Sequence, residues 1–487
     1  MPENDPETKS GQEIVGPKSI IALANAVLGS ALAFGWSMGV LNVPEPYIRC
    51  WIISVQKDDT INCTDAIELN NEGLLDDSTL AWALSTAILP LGAIIGGLSG
   101  GIIADKFGRK TTMLWNAIFG ILINVLLGSC RLIGSYWVFI LGRFLCGINV
   151  GVNSAVAPLY INEISPENSK GAFGACFQFG VTFGIVIANL LGLTYIMGTE
   201  DLWPWLLALG AVPCIVQVLL CFCSPETPTY LLSNGKIIEA KQALTDLKGP
   251  DAILKEEETI EQDQSLITNI KEIFKIAPVR RAAIVCLFLM IFQQLCGINA
   301  IFFYSGSIFL NAGIPQDLAG VATVGLSTIN VLFVFVAIVF SDKAGRKLLL
   351  NIAFVIMTIC AIATTVLLSF DSSENEVLGY LTIVPICIFV AAFEIGPGPI
   401  PWACASESIP AQYKAGTAGL ATATNWLCAF IIGLIFPPMQ SALDQYSFIP
   451  FAVVSGLAVI YINLRVVETS GKTVEEVQAE YKEQKGC

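Results

Sequence analysis

Residues 105–110 read Asp-Lys-Phe-Gly-Arg-Lys, and residues 342–347 read Asp-Lys-Ala-Gly-Arg-Lys. Two further pairs of motifs match at nearly the same offset: Glu163 with Lys170 against Glu407 with Lys414, and Pro225-Glu226-Thr227 against Val467-Glu468-Thr469. Matches that share one offset indicate that a structural unit occurs twice along the chain. The sequence therefore predicts two similar halves in tandem.

Both halves are rich in apolar residues. Charged residues make up 14% of the 487 residues and hydrophobic residues 54%, whereas a soluble globular chain carries about 25% charged residues. Because a compact soluble interior could not hide this apolar share, we expect the chain in a lipid bilayer. Apolar runs of about 20 residues, the length that crosses a membrane, predict twelve spans: 19–42, 79–102, 112–131, 135–157, 171–196, 203–222, 282–303, 316–340, 347–369, 379–402, 416–437 and 446–466.

The composition also disfavours several classes of function. The chain has no histidine, which excludes a Ser-His-Asp triad, a His-ligated zinc site and a His-ligated haem. A net charge of −14 does not suit a nucleic-acid partner, which needs clustered positive charge. We expect neither enzyme activity nor a cofactor or metal site. The expected partners are the lipid bilayer and a small solute.

The orientation follows from the positive charges, because cytoplasmic loops retain lysine and arginine during insertion. If both termini are cytoplasmic, only Arg49, Lys57 and Arg131 lie outside, and Arg143 lies within a span. The loop 43–78 then faces outward. This count predicts a multi-pass protein with both termini in the cytoplasm.

The outward loop contains two candidate modification sites. Asn62 begins an Asn-x-Thr sequon and is a candidate glycosylation site. Most of the 15 cysteines lie in apolar runs, where cysteine behaves as a small hydrophobic residue. Cys50 and Cys63 lie in the outward loop instead, where they could remain thiols or form a disulfide.

The predicted fold is an all-α integral membrane protein with two pseudo-symmetric six-helix bundles. The segment between the bundles is polar and contains Lys255-Glu256-Glu257-Glu258, which is typical of a cytoplasmic linker with helical pieces. The predicted units are a cytoplasmic N-terminus, an N-terminal bundle, a linker, a C-terminal bundle and a cytoplasmic tail, at residues 1–18, 19–222, 223–281, 282–466 and 467–487.

The repeated charged motifs lie at the predicted cytoplasmic ends of spans. Their lysines can serve as anchors that reach the interface. Their carboxylates do not orient a helix, yet they recur beside basic residues: Asp105, Glu163, Asp342 and Glu407 beside Arg109, Lys170, Arg346 and Lys414. Opposed charges at equivalent ends of two halves suit a latch that opens when the halves rock. Exposed pairs contribute no more than about 1 kcal/mol each, so thermal motion can break such a latch.

The span interiors carry uncharged amides, namely Gln178, Gln293, Gln294, Asn299, Asn330 and Asn425. Amides both donate and accept hydrogen bonds, as the hydroxyls of a neutral polyol do. Trp402 could cover the apolar face of a sugar ring. The alternative is that the amides join helices and that Trp402 packs. On one straight helix Asn299 would point about 140° away from Gln294, so we predict a break near Gly297.

Several motifs occur in a fixed order between residues 19 and 473: the two Asp-Lys-x-Gly-Arg-Lys copies, Gly142-Arg143, Pro225-Glu226-Thr227-Pro228, Gln293-Gln294-Leu295-Cys296-Gly297-Ile298-Asn299 and Gly396-Pro397-Gly398-Pro399-Ile400-Pro401-Trp402. Together they resemble the sugar-porter family of the major facilitator superfamily, and within it the facilitative glucose transporters. The resemblance implies the major facilitator fold, broken helices at the seventh and tenth spans, and alternating access to a hexose in the plasma membrane.

The resemblance also implies roles for individual residues. Residues that match sugar contacts are Gln178, Gln293, Gln294, Asn299, Asn330, Glu394 and Trp402, and Phe302, Phe393 and Asn425 match the lining of the site. Phe303 and Tyr304 match an outer aromatic gate. Arg143, Glu163 and Lys170 match part of an inner latch.

The substrate implied by the resemblance is D-glucose, with galactose or fructose as alternatives. Trp402 favours glucose, because fructose-selective relatives tend to lack it, whereas Met290-Ile291-Phe292 replaces a Gln-Leu-Ser tripeptide of glucose-preferring members. Proton-coupled members carry an aspartate in the first span, where this chain has Ser37. We therefore predict passive uniport. A proton-coupled symporter and a transporter-like glucose sensor are the alternatives.

Overall fold

The structure is a computed structural model that describes residues 15–57, 63, 76–166, 169–250, 252, 271–341, 344–370 and 376–484. In this part of the chain, eleven helical segments are long and apolar enough to cross a membrane, and the shorter apolar helix Ile449–Arg465 completes the predicted twelve. Helices suit this environment because a backbone in lipid must satisfy its hydrogen bonds within the same segment.

The N-terminal half contains six spanning segments. The first, α1 (Pro17–Gly39), includes a π-helical stretch at Asn25–Ala31 and is followed by the short helix α2 (Glu45–Lys57). The other spans are α3 (Thr79–Phe107), α4 (Arg109–Ile133), α5 (Tyr136–Ile164), α6 (Lys170–Leu191) and α7 (Trp203–Cys223). The short helices α8 (Pro228–Ser233) and α9 (Ile237–Lys248) come next.

The C-terminal half repeats this plan with two broken spans. Its helices are α10 (Ala277–Leu295), α11 (Ile298–Asn311), α12 (Gln316–Ser341), α13 (Arg346–Leu368), α14 (Glu376–Leu381), α15 (Ile383–Ile395), α16 (Ile400–Glu407), α17 (Ala411–Leu443), α18 (Ile449–Arg465) and α19 (Val474–Glu483). The pair α10 and α11 forms the seventh span, and α15 and α16 belong to the tenth. The predicted breaks in both spans are therefore confirmed.

Helices within a half pack closely where small residues meet. A Cβ atom at Gly147 of α5 would lie 2.0 Å from the carbonyl oxygen of Leu89 on α3, so only glycine permits this approach. Large apolar side chains such as Trp115, Leu122 and Leu464 point away from the interior and are exposed. Such side chains suit an exterior that faces lipid.

The two faces of the molecule differ. The terminal face carries α8, α9 and α19: Ser19 donates a 2.5 Å hydrogen bond to the carbonyl of Leu247 at the end of α9, and Arg281 donates one of 2.7 Å to the carbonyl of Tyr481 in α19. The opposite end, here called the loop face, carries α2. Successive spans alternate in direction between these two faces, so α5 begins at the loop face and ends at the terminal face.

Candidate functional site

The break between α10 and α11 is centred on one glycine. Gly297 has a φ angle of 99°, a left-handed conformation that glycine adopts at little cost. A Cβ atom there would also lie 2.5 Å from the ring of Phe451 on α18. The sequence therefore ends one helix at Leu295 and begins another at Ile298, which confirms the predicted break near Gly297.

Four of the predicted amides form one network around this break. Gln294 donates to Oδ1 of Asn425 on α17 at 2.9 Å, and Asn299 donates to Oε1 of Gln294 at 2.5 Å. Asn425 donates in turn to Oε1 of Gln293. All four side chains are buried. The network therefore joins both parts of the broken seventh span to the eleventh span.

The same network reaches the second broken span. The side-chain amide of Gln293 donates hydrogen bonds of 2.7 Å to the carbonyl groups of Pro397 and Gly398, which lie between α15 and α16. Because these carbonyls belong to an interrupted helix, they have no regular helical donor. The two breaks thus meet at one polar centre.

The other predicted site residues lie on α6, α11, α12, α15 and α16. Phe302, Phe393 and Glu394 are buried, and so is Asn330 on α12, whose Oδ1 has no hydrogen-bond partner in the structure. Gln178 on α6 is exposed, and Trp402 on α16 is 41% exposed. Within the described residues, no hydrogen bond joins Gln178, Asn330 or Trp402 to the amide network. These groups remain available to a ligand.

Both residues of the predicted aromatic gate contact neighbouring helices toward the loop face. The hydroxyl of Tyr304 donates a 2.7 Å hydrogen bond to the carbonyl of Gly433 and also contacts Oγ1 of Thr86 on α3 in the other half. Its ring stacks on Phe436 with a centroid distance of 5.4 Å. Phe303 is buried beside it. Tyr304 has non-helical backbone angles, which bend α11 at the gate.

Further hydrogen bonds join the two halves near this face. Asn42 donates to the carbonyl of Phe302 at 2.5 Å, and Asn189 donates to the hydroxyl of Ser327 at 2.7 Å. Thr194 donates to Asp317 at 2.8 Å, and Ser307 donates to Glu45 at 2.5 Å. The two halves are therefore joined near the loop face, while the side chains of Trp402 and Gln178 are exposed.

Charged pairs lie at the terminal face, as predicted. Arg109 is 3.0 Å from both Glu163 and Asp105, and Arg346 is 3.1 Å from Glu407. Each of these pairs forms within one half, so in this state they do not bridge the halves as a direct latch would. Lys170 is half-buried and Lys414 is exposed. Asp342 lies outside the described residues.

Comparisons with known proteins agree with this architecture. The model of the family described as "Sugar (and other) transporter" matches residues 22–481. The chain belongs to this family. The facilitated glucose transporter member 3 of solute carrier family 2 from Rattus norvegicus is 35% identical over 477 residues, which cover 96% of this chain and 93% of the relative.

Solved structures of sugar transporters share the fold. The xylose transporter XylE from E. coli, in a partially occluded inward-open conformation, superposes with a TM-score of 0.75 at 23% identity and covers 93% of this chain and 99% of its own. The proton:xylose symporter XylE bound to 6-bromo-6-deoxy-D-glucose gives a TM-score of 0.72 at 25% identity, with coverage of 95% and 99%. The chain thus has the major facilitator fold of two six-helix bundles.

One residue assignment drawn from the family is wrong. Arg143 lies near the loop-face end of α5, about 30 Å of helix away from Glu163 at the terminal-face end. Its guanidinium donates to the carbonyls of Ser37 at 2.9 Å and Ser85 at 3.4 Å. Arg143 therefore ties α5 to α1 and α3, and it cannot belong to an inner latch. In the described part of the chain it forms no ion pair with a carboxylate.

Two carboxylates that cap helices at the terminal face were missing from the predicted residues. Glu226 accepts hydrogen bonds from the backbone N–H groups of Arg109 at 3.0 Å and Lys110 at 3.1 Å, at the start of α4. Glu468 accepts from Arg346 at 2.8 Å and Lys347 at 3.0 Å, at the start of α13. The available signal was the repeated Glu-Thr motif that contains each carboxylate.

The candidate modification sites fall in and beside α2. Cys50 and Cys63 form a disulfide with a Cα–Cα distance of 5.8 Å. Asn62, the predicted glycosylation site, lies outside the described residues. The disulfide ties Cys63 to a helix that packs on the N-terminal half, because Trp51 of α2 contacts the rings of Phe139 and Trp203.

Proposed function

We propose that this chain is a facilitative transporter that moves D-glucose passively across the plasma membrane by alternating access. In this proposal the terminal face and both termini are cytoplasmic, and the loop face is extracellular. The bundles 19–222 and 282–466 are the moving units, linked by residues 223–281. The chain carries out transport and no enzymatic reaction.

The observation that carries the proposal is the chemistry of the amide network. Gln293, Gln294, Asn299 and Asn425 present donors and acceptors without fixed charge, at a point where two spans are broken. Such groups match the hydroxyls of a neutral sugar. A handful of net hydrogen bonds of about 0.5–1.5 kcal/mol each, reduced by ordering costs, gives weak affinity. Weak binding suits release on the far side.

Passive transport is supported by the surroundings of Arg143. Its partners Ser37 and Ser85 offer only carbonyl groups, and neither residue can take up a proton near neutral pH. A proton relay in a membrane needs a titratable group. Glu394 is a buried carboxylate within a span, and it would have to supply that titratable group if transport were coupled to protons.

The proposed function can be tested by uptake of radiolabelled D-glucose into proteoliposomes, with and without an imposed pH gradient. Unlabelled L-glucose, D-galactose and D-fructose serve as competitors. We expect uptake that stops at equilibrium, ignores the gradient and is inhibited by D-glucose but not by L-glucose. Accumulation above equilibrium with an inward proton gradient would identify a symporter instead. Binding without transport would identify a sensor.

A further inference from the structure

A buried carboxylate links the two halves at the loop face. Glu45 is the first residue of α2 and is 5% exposed. Its Oε2 accepts a 2.5 Å hydrogen bond from the hydroxyl of Ser307 on α11, in the other half. Its Oε1 lies 3.5 Å from Nη1 of Arg49, one turn along α2. The carboxylate therefore has one partner in each half of the molecule.

The helix that carries Glu45 is fixed to the N-terminal half. Arg49 donates to the side chains of Ser78 at 3.0 Å and Thr79 at 3.3 Å, at the start of α3. Trp51 packs against aromatic rings of α5 and α7, and Cys50 forms the disulfide to Cys63. Because α2 must move with its half, any separation of the halves at this face has to break the contact between Glu45 and Ser307.

Ser307 is placed where such a contact would control access. It follows the gate residue Tyr304 by one helical turn on α11. Tyr304 itself bonds to both α17 and α3. A hydrogen bond that holds α11 against α2 therefore also holds the aromatic gate in its closed position.

We propose that Glu45 is a positioning residue of the transport cycle, whose hydrogen bond with Ser307 holds the outer side closed and whose protonation from the external medium favours that closed state. The inference rests on the proposed function for its orientation and for the cycle in which it acts. It assigns to α2 a regulatory contact on the outer side, beyond the aromatic gate.

The direction of the pH effect follows from burial. Desolvation raises the pKa of the Glu45 carboxyl, while Arg49 and the hydrogen bond from Ser307 act against this rise. When the halves separate, the carboxyl becomes hydrated and its pKa returns toward the ordinary value. The closed state therefore binds a proton more readily, and acid stabilises it.

Other charged groups around Glu45 do not reverse this direction. The phenol of Tyr304 on α11 interacts electrostatically with Glu45 and with Arg143 of α5. Asp317 and Glu200 act on Tyr47 of α2. Arg49, the cationic neighbour on α2, lies 3.5 Å from the Glu45 carboxylate. Glu45 is the buried carboxylate at this junction that has a partner in each half.

The proposed proton is not transported. Glu45 lies at the outer end of the molecule, so a proton that binds from the external medium returns to it when the gate opens. External pH should therefore change the rate of entry without driving accumulation. This outcome is compatible with passive uniport.

The opening of the outer side can be measured without any sugar. Ser305, which is 1% exposed on α11, is replaced by cysteine as a reporter. Intact cells that express the full chain are treated with a membrane-impermeant maleimide, and the rate of labelling is normalised to surface protein. Cells that express the chain without the reporter give the background. Thiol reactivity itself rises with pH. At each pH, the labelling rate of Ser305→Cys is therefore divided by the labelling rate of the double variant that combines Ser305→Cys with Glu45→Gln.

We expect this labelling ratio to fall several-fold as the external pH is lowered from about 7.5 to about 5.5, because acid favours the closed state only where Glu45 is present. Ser307→Ala should increase labelling about fivefold at the higher pH, which corresponds to one net hydrogen bond. Asp77→Asn is the matched control, because Asp77 pairs with Lys57 of α2 at 2.7 Å but is exposed. It should change neither result.

Two outcomes would overturn the inference. The first is a labelling ratio that does not change with pH. The second is a Ser307→Ala variant that is labelled at the same rate as the reporter with Ser307 intact. Uptake of labelled D-glucose by the same cells reports on the proposed function separately. Labelling that responds as expected in cells that take up no glucose would leave the gate contact established and the substrate wrong.

Discussion

Asn299 donates a 2.5 Å hydrogen bond to Oε1 of Gln294 across the break at Gly297. On an uninterrupted helix these side chains would diverge by about 140°. The left-handed backbone of Gly297 brings them together, and Asn425 then completes the network from α17. The polar centre thus depends on one local backbone conformation.

Replacement of Gln294 by alanine should test this centre directly. The change removes a donor and an acceptor from the network and leaves Asn299 and Asn425 without their partner. We expect initial D-glucose uptake to fall about tenfold or more at equal surface protein, which corresponds to one or two net hydrogen bonds. Asn351→Ala on α13 is the control, since Asn351 pairs with Asn463 away from the site. Normal uptake by Gln294→Ala would remove this residue from the site.

Much of this architecture could be predicted from the sequence because the signals are local. Twelve apolar runs predict twelve spans, and the angular mismatch of Gln294 and Asn299 predicts the break. The role predicted for Arg143 was wrong because it did not take account of the position of Arg143 in the predicted span 135–157, twenty residues before Glu163 and hence near the other end of the helix. The roles of Glu226 and Glu468 were missed because each carboxylate caps a helix that lies far away in the sequence.

Gly297→Ala should distort the molecule more than the addition of a single methyl group would suggest. A methyl group would meet the ring of Phe451 at 2.5 Å, and alanine is strained at a φ angle of 99°. We expect a lower apparent melting temperature in detergent and loss of uptake. Gly456→Ala on α18 is the control, because a Cβ atom there has no neighbour within 4 Å. Equal melting temperatures for the two variants would contradict the strain at Gly297.

Trp402→Ala should weaken transport at low substrate concentration. The indole is 41% exposed beside the second helix break, so it can lie against a sugar ring. We expect the KM for D-glucose to rise about tenfold with little change in melting temperature. Trp115→Ala, on the exposed exterior of α4, serves as the control. An unchanged KM for Trp402→Ala would mean that this tryptophan only packs.

The two helix caps should contribute equally to stability, because they are equivalent in the repeat. Glu226→Gln and Glu468→Gln each keep the size of the side chain but remove the charge that faces two backbone N–H groups at a helix start. We expect each change to cost about 1–2 kcal/mol, which lowers the apparent melting temperature. Glu239→Gln should have no effect, since Glu239 forms an exposed pair with Lys236. The two losses should add in the double variant, because distant sites behave independently. If instead only one of the two single variants is less stable, and the double variant matches it, then one half unfolds first and alone sets the measured stability.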